Sequence, residues 1–131
     1  MIKLHLASRI ILMGSATYTL DIKEISEQVL YNIQRRKGYN SNVSIQHQAA
    51  VFLSGSRYDK LRTVSIPTLI VHGKADPFIP IEHGLKCASI IPHADSLWLN
   101  GMGHDIPDFL VDTLTKKIIV EFGPRIFSTK K

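Results

Sequence analysis

The chain has 131 residues, 44% of them apolar and 21% charged. These are the proportions of an ordinary globular protein, and the length fits one domain burying roughly 65 to 70% of its unfolded surface. The single cysteine, Cys87, excludes an internal disulfide and a thiolate zinc site, and the natural setting is reducing and cytoplasmic. The net charge of +5 rests partly on Arg35-Arg36-Lys37, Lys116-Lys117 and Lys130-Lys131. These fall at expected helix ends or in the tail, where cations complement the helix dipole, and do not argue for nucleic acid.

The chain opens with a helical spacing, Ile2, Leu6, Arg9 and Ile10, that runs to a C-cap at Gly14. The apolar run Ile10 to Met13 is too short to span a bilayer or to serve as a secretory signal, so no membrane insertion is expected. Asp21 with Glu24 resembles a capping box, and Ile22, Ile25, Val29 and Ile33 form one apolar stripe ending at Gly38. A third helix is predicted from Asn40 or Ser41 to about Phe52, with Ile45, Ala49 and Phe52 facing inward, before Ser54-Gly55-Ser56 breaks it.

Beyond Leu61 to Ser65 the hydrophobic period changes. Thr68 to Val71 is an apolar, β-branched run introduced by Pro67 and stopped by His72-Gly73, as in a buried parallel strand. Glu82 to Ile91 reads as a helix and Ser96 to Leu99 as a second strand, before a turn at Asn100-Gly101. Asp105 is a fitting N-cap for a last helix that Phe109, Leu110, Leu114, Ile118 and Phe122 make amphipathic, and a short basic tail, Phe127 to Lys131, follows. The predicted class is α/β: an N-terminal helical segment, then a β-α-β-α unit with two parallel strands.

A β-α-β crossover makes its strands parallel, so their carboxyl ends share one rim of the sheet. Asp76 follows one strand end and His104 the other, 28 residues later. An imidazole acting as general base needs its second nitrogen held by an acceptor, and a carboxylate does this. Gly101 and Gly103 allow the tight turn that lifts the imidazole over the strand end. On spacing alone, such residues are more often solvated turn residues than a working pair.

The motifs around them carry more. Pro67-Thr68-Leu69-Ile70-Val71-His72-Gly73-Lys74-Ala75-Asp76-Pro77-Phe78-Ile79-Pro80 and Gly101-Met102-Gly103-His104 resemble the acid loop and the histidine loop of the α/β-hydrolase superfamily. Upstream, Arg36-Lys37-Gly38-Tyr39, Gln48 and Ser54-Gly55-Ser56-Arg57 are similar to the helical cap of its aclacinomycin methylesterase-like branch. The resemblance implies that Asp76 orients His104. It also implies a cap-like region over 1–64, followed over 65–131 by the C-terminal part of a hydrolase core. The implied substrate is a small ester, with no cofactor.

The family's nucleophile stands in a G-x-S-x-G elbow, which the family order would place upstream of Met1. Ser15 and Ser54 read as cap and turn residues, and Cys87 as a packed helix residue. Without nucleophile or oxyanion donors the isolated chain is expected to be inactive, regaining activity only with a complementary N-terminal segment. Esterases, lipases, epoxide hydrolases and dehalogenases differ most in that nucleophile, so the substrate is not readable from the remaining residues. His72, His83, His93 and His104 recur at intervals of ten or eleven with no short ligand pair, so no metal is expected. His72 is expected to anchor the turn before the acid loop, and Trp98 to pack on a flanking helix. The alternative is a non-enzymatic binding module that self-associates, as a homo-oligomer, through an exposed sheet edge.

Overall fold

The computed structural model describes residues 2–14, 19–36 and 40–124. Ser15, the expected helix stop at Gly38 and the basic tail lie outside them. Three helices come first: α1 (Ile2–Leu12), α2 (Ile22–Arg36) and α3 (Ser41–Ser54). A single turn, α4 (Tyr58–Leu61), leads into β1 (Leu69–Gly73), α5 (Ile81–Ile90) and β2 (Asp95–Leu99). A 3-10 turn (Asp108–Leu110) then opens α6 (Val111–Thr115), which continues as a π-helical stretch (Lys116–Phe122). Among the described residues no helix is long and apolar enough to cross a membrane.

The strands pair in parallel, Leu69 opposite Asp95 through Gly73 opposite Leu99. Parallel pairing requires a crossover, and α5 supplies it while packing on β1. Gly84 permits that packing, because a Cβ there would come within 3.0 Å of both the His72 and the Trp98 rings. Trp98 thus packs on the flanking helix as expected. Tyr58 fastens α4 to α5, its ring lying beneath the Arg62 guanidinium at 4.5 Å and the Lys86 ammonium at 5.1 Å. Leu69 to His72 are half-buried rather than buried, since the described sheet has two strands and covers neither strand on both sides.

The N-terminal half of the core is the seam between α1 and α2. Ile25 and Val29 of α2 close on Met13, flanked by Leu6, Leu20 and Ile33. Asp21 caps α2 by accepting the Glu24 N–H at 3.0 Å. Ile22, expected on the same stripe, is 47% exposed.

Several expectations fail. Asn40 caps α3 as predicted, accepting from the Asn42 and Val43 N–H groups. Yet Ile45, Ala49 and Phe52 are exposed, because no other described element packs broadly against α3 and so no inward face exists. The last helix begins not at Asp105 but after Pro107. Proline forces Ile106 out of the α region and brings no N–H for an Asp105 cap to receive. Leu110, Leu114 and Phe122 are buried on this helix, whereas Phe109 and Ile118 are exposed. Lys116-Lys117 lie within the final helical run, not at its end.

The chain exposes 10035 Å² of accessible surface. A compact protein of 14.7 kDa exposes about 6,900 Å².

Candidate functional site

The site forms where three chain ends meet: the end of β1, the loop after β2 and the C-terminal end of α1. Beyond Gly73 the ladder continues for one bond, Lys74 N–H to the Leu99 carbonyl at 2.9 Å. The Ala75 N–H then donates to the Met102 carbonyl at 3.0 Å, tying the two loops together. Pro77 has no N–H, so the next donors available to Asp76 are Phe78 and Ile79. Both donate to Asp76 Oδ1, at 2.7 and 2.8 Å. That leaves Oδ2 for another partner.

The partner is His104, whose Nδ1 lies 2.9 Å from Asp76 Oδ2. With the carboxylate ionised, Nδ1 carries the proton and Nε2 keeps its lone pair, the arrangement of a neutral imidazole able to accept a proton. The Asp76 side chain is 5% exposed and that of His104 is 40% exposed. The carboxylate is thus shielded while the imidazole reaches solvent, beside a cavity of about 230 Å³ that Val71, Ile79 and Met102 help to line. Phe78 stands edge-on to the imidazole, ring centres 5.2 Å apart.

Burial pushes the Asp76 carboxyl up, but the hydrogen bonds from Ile79, His104 and Phe78, with the His104 charge, outweigh it. The net effect holds Asp76 below the ordinary aspartate value. His72 anchors this loop: its Nε2 donates to the Ile79 carbonyl at 3.0 Å. It stands 3.9 Å from Asp76 Oδ2, too far for a hydrogen bond.

The loop carrying His104 is seated on α1. A helix leaves its last carbonyls without internal partners. Here the Gly103 N–H donates to Met13 O, and the His104 and Asp105 N–H groups both donate to Leu12 O. The approach is close enough to require glycine. A Cβ on Gly103 would fall 2.2 Å from Leu12 O, and one on Gly73 would fall 2.2 Å from Met102 O. Gly14, at φ +105°, completes the contact with a single antiparallel bridge to Met102.

Polar side chains continue the junction. The Arg9 guanidinium lies 3.0 Å from Asp105 Oδ2, an atom shielded from solvent, as an ion pair rather than an aligned hydrogen bond. Arg9 also donates to Gln28 of α2 at 3.4 Å, and Gln28 donates to Asp108 at 3.0 Å. Glu24 hydrogen-bonds to Asp108, and that bond, with the Asp108 charge, raises the Glu24 carboxyl above its ordinary value.

Of the residues singled out in the sequence, Asp76, His104 and His72 come together here. Ser54 ends α3 and donates to Val51 O, and Cys87 is half-buried in α5. His83 and His93 are exposed. Among the described residues no group of His, Cys, Asp and Glu is arranged to hold a metal ion. Arg9, the α1 carbonyls and Phe78 are neighbours of the pair that the motifs do not assign to it. Phe78 sits inside the acid-loop motif and was legible there, whereas nothing local marks Arg9 as a partner of a residue 96 positions away.

No family model matches the chain. Among curated proteins it is similar to the alpha/beta hydrolase domain-containing protein 17C of Xenopus tropicalis, 42% identical over 48 residues, 36% of this chain and 16% of that protein. The human protein of that name is 40% identical over 48 residues, 36% of this chain and 15% of the relative. A longer match joins it to the bifunctional esterase/perhydrolase DCH of Acinetobacter calcoaceticus, 26% identical over 98 residues, 73% of this chain and 35% of that enzyme. The chain thus spans about a third or less of the length of these relatives. Together the local matches and the parallel β-α-β unit support a relationship between this chain and the α/β-hydrolases.

Proposed function

We propose that Asp76 and His104 are the acid and base of a serine-hydrolase site for a small ester, with a nucleophile supplied from outside these 131 residues. The observation that carries this reading is the bond from His104 Nδ1 to a shielded Asp76 carboxylate, with the imidazole open to solvent. In such a site Nε2 takes the nucleophile's proton as the acyl carbon is attacked. It then returns the proton to the leaving alcohol, while Asp76 stabilises the imidazolium between the two steps. The residues 1–64 act as a cap-like region, resembling that of the aclacinomycin methylesterase-like branch, and 65–131 as the C-terminal part of the core. On its own the chain has no nucleophile elbow and no ester hydrolysis.

The test joins to the chain an N-terminal segment carrying a strand, a G-x-S-x-G elbow and a helix, with p-nitrophenyl acetate as substrate. Hydrolysis by the joined protein should fall by about 10³-fold or more in Asp76→Asn and His104→Ala, while the isolated chain stays unlabelled by a fluorophosphonate. Unchanged hydrolysis in both variants contradicts the assigned roles. Labelling of the isolated chain that is lost in His104→Ala contradicts its inactivity. A second reading, a non-enzymatic module that self-associates, draws on α3, whose Phe52 and Leu53 are 84% and 87% exposed.

A further inference from the structure

The segment from Gly101 to Asp105 meets a helix end of adverse sign. α1 ends at Leu12, and its unpaired carbonyls carry the negative end of the helix dipole. Three loop N–H groups answer those carbonyls, which is favourable. Asp105 brings a carboxylate to the same helix end, which is not, since anions are disfavoured there. Its Oδ2 is shielded from water, so solvent reaches the carboxylate only through the rest of the side chain, which is 20% exposed. The group that relieves the conflict is Arg9, in the last turn of α1, with its guanidinium 3.0 Å away.

We propose that Arg9 is a positioning residue for His104. By neutralising Asp105 it holds the loop down on α1, and the loop in turn holds the imidazole at bonding distance from Asp76. The proposal deepens the acid–base reading of Asp76 and His104 and rests on it. The linkage is short. His104 and Asp105 donate to the same carbonyl, Leu12 O, so a loop that lifts at Asp105 loses the His104 N–H contact with it. The Gln28 bond braces the guanidinium from α2, and Gln28 is itself fixed by Asp108, so Arg9 is held from two helices. Removing the guanidinium leaves the shielded Oδ2 of Asp105 without its cation at the negative end of α1, and the least costly response is for the loop to move outward. No other residue from Gly101 to Pro107 carries a permanent cation, and the imidazole of His104 is engaged with Asp76.

The experiment reads the tautomer of His104 in the full chain, at a pH where the imidazole is neutral, from long-range proton–nitrogen correlations. The free imidazole favours the proton on Nε2, whereas the bond to Asp76 requires it on Nδ1, so the tautomer ratio reports that bond directly. In the unsubstituted chain the Nδ1–H form should dominate. Arg9→Met keeps the side chain's apolar bulk and removes its charge, and should lower the Nδ1–H to Nε2–H ratio by about fivefold, the size of one net hydrogen bond. Arg9→Lys, which restores the charge without the fork, should recover most of the ratio.

A ratio unchanged in Arg9→Met, even with a lower melting temperature, assigns Arg9 a structural role only and overturns the proposal. Should Arg9→Met not fold, Asp105→Asn removes the charge conflict from the other side. Its ratio should then stay near that of the unsubstituted chain whether residue 9 is Arg or Lys, and a fall in that variant overturns the proposal equally. An unsubstituted chain lacking the Nδ1–H form overturns the Asp76–His104 reading itself, which separates its failure from that of Arg9.

Discussion

Asp76 is held by three donors, two backbone N–H groups on Oδ1 and the imidazole on Oδ2. Its folded-state carboxyl therefore titrates below the ordinary value, about 3.9 in unstructured chains. The sign follows directly: a depressed carboxyl contributes stability that is fully present above the unfolded value and disappears as pH falls through the folded one. Asp76→Asn should cost about 2 kcal/mol near pH 7, the scale of hydrogen bonds to a charged group. The gap between the two proteins should narrow below about pH 4, measured as urea midpoints across pH. A gap constant down to pH 2 removes the carboxylate from the account. The sequence exposed this residue because Pro77 and Gly73 fix the local chain, so the aspartate's position follows from its neighbours. Arg9 was illegible for the opposite reason, since its role depends on a contact that the chain makes only once α1 is folded against the loop after β2.

At the scale of elements, local signals located α2, β1, α5 and β2 to within a few residues, because each combines a clear hydrophobic period with a cap or a breaker. What such signals do not encode is which side of a helix meets the rest of the protein. α3 shows this best: Asn40 starts it, Gly55 at φ +59° ends it, and its apolar residues surround it without a packed face. A helix of 14 residues with little tertiary support is marginal in water. Its stability then rests largely on the cap, and Asn40→Ala removes about 1 kcal/mol from that helix alone. The expected result is a measurable loss of far-ultraviolet helical signal and faster amide exchange over 41–54, with the melting temperature of the rest of the protein nearly unchanged. A fall of several degrees in the main transition instead places α3 in the cooperative core.

The whole molecule differs most from what composition leads one to expect. A chain that is 44% apolar has material for a full core, yet among the described residues no large side chain falls below 2% exposure. One small cluster lies between α1 and α2, and the other buried apolar residues, Ile91, Met102, Leu110, Leu114 and Phe122, come from the end of α5, the loop after β2 and the last helix. The described sheet has two parallel strands, an arrangement ordinarily covered on both faces. Composition gives the amount of apolar material but not its arrangement, so this openness was invisible in the sequence. It has a measurable consequence, because the urea dependence of unfolding scales with the surface newly exposed. With both strands only half-buried and many large apolar residues exposed among those described, unfolding uncovers less surface than in a compact protein of this length. The slope of unfolding free energy against urea should be smaller than for compact proteins of equal length, and the folded chain should bind a hydrophobic dye. If the chain is monomeric, gives a slope typical of its length and leaves the dye unbound, its apolar residues are packed more fully than the surface area implies. If the slope is typical only at high protein concentration and falls on dilution, the missing burial is being supplied between molecules.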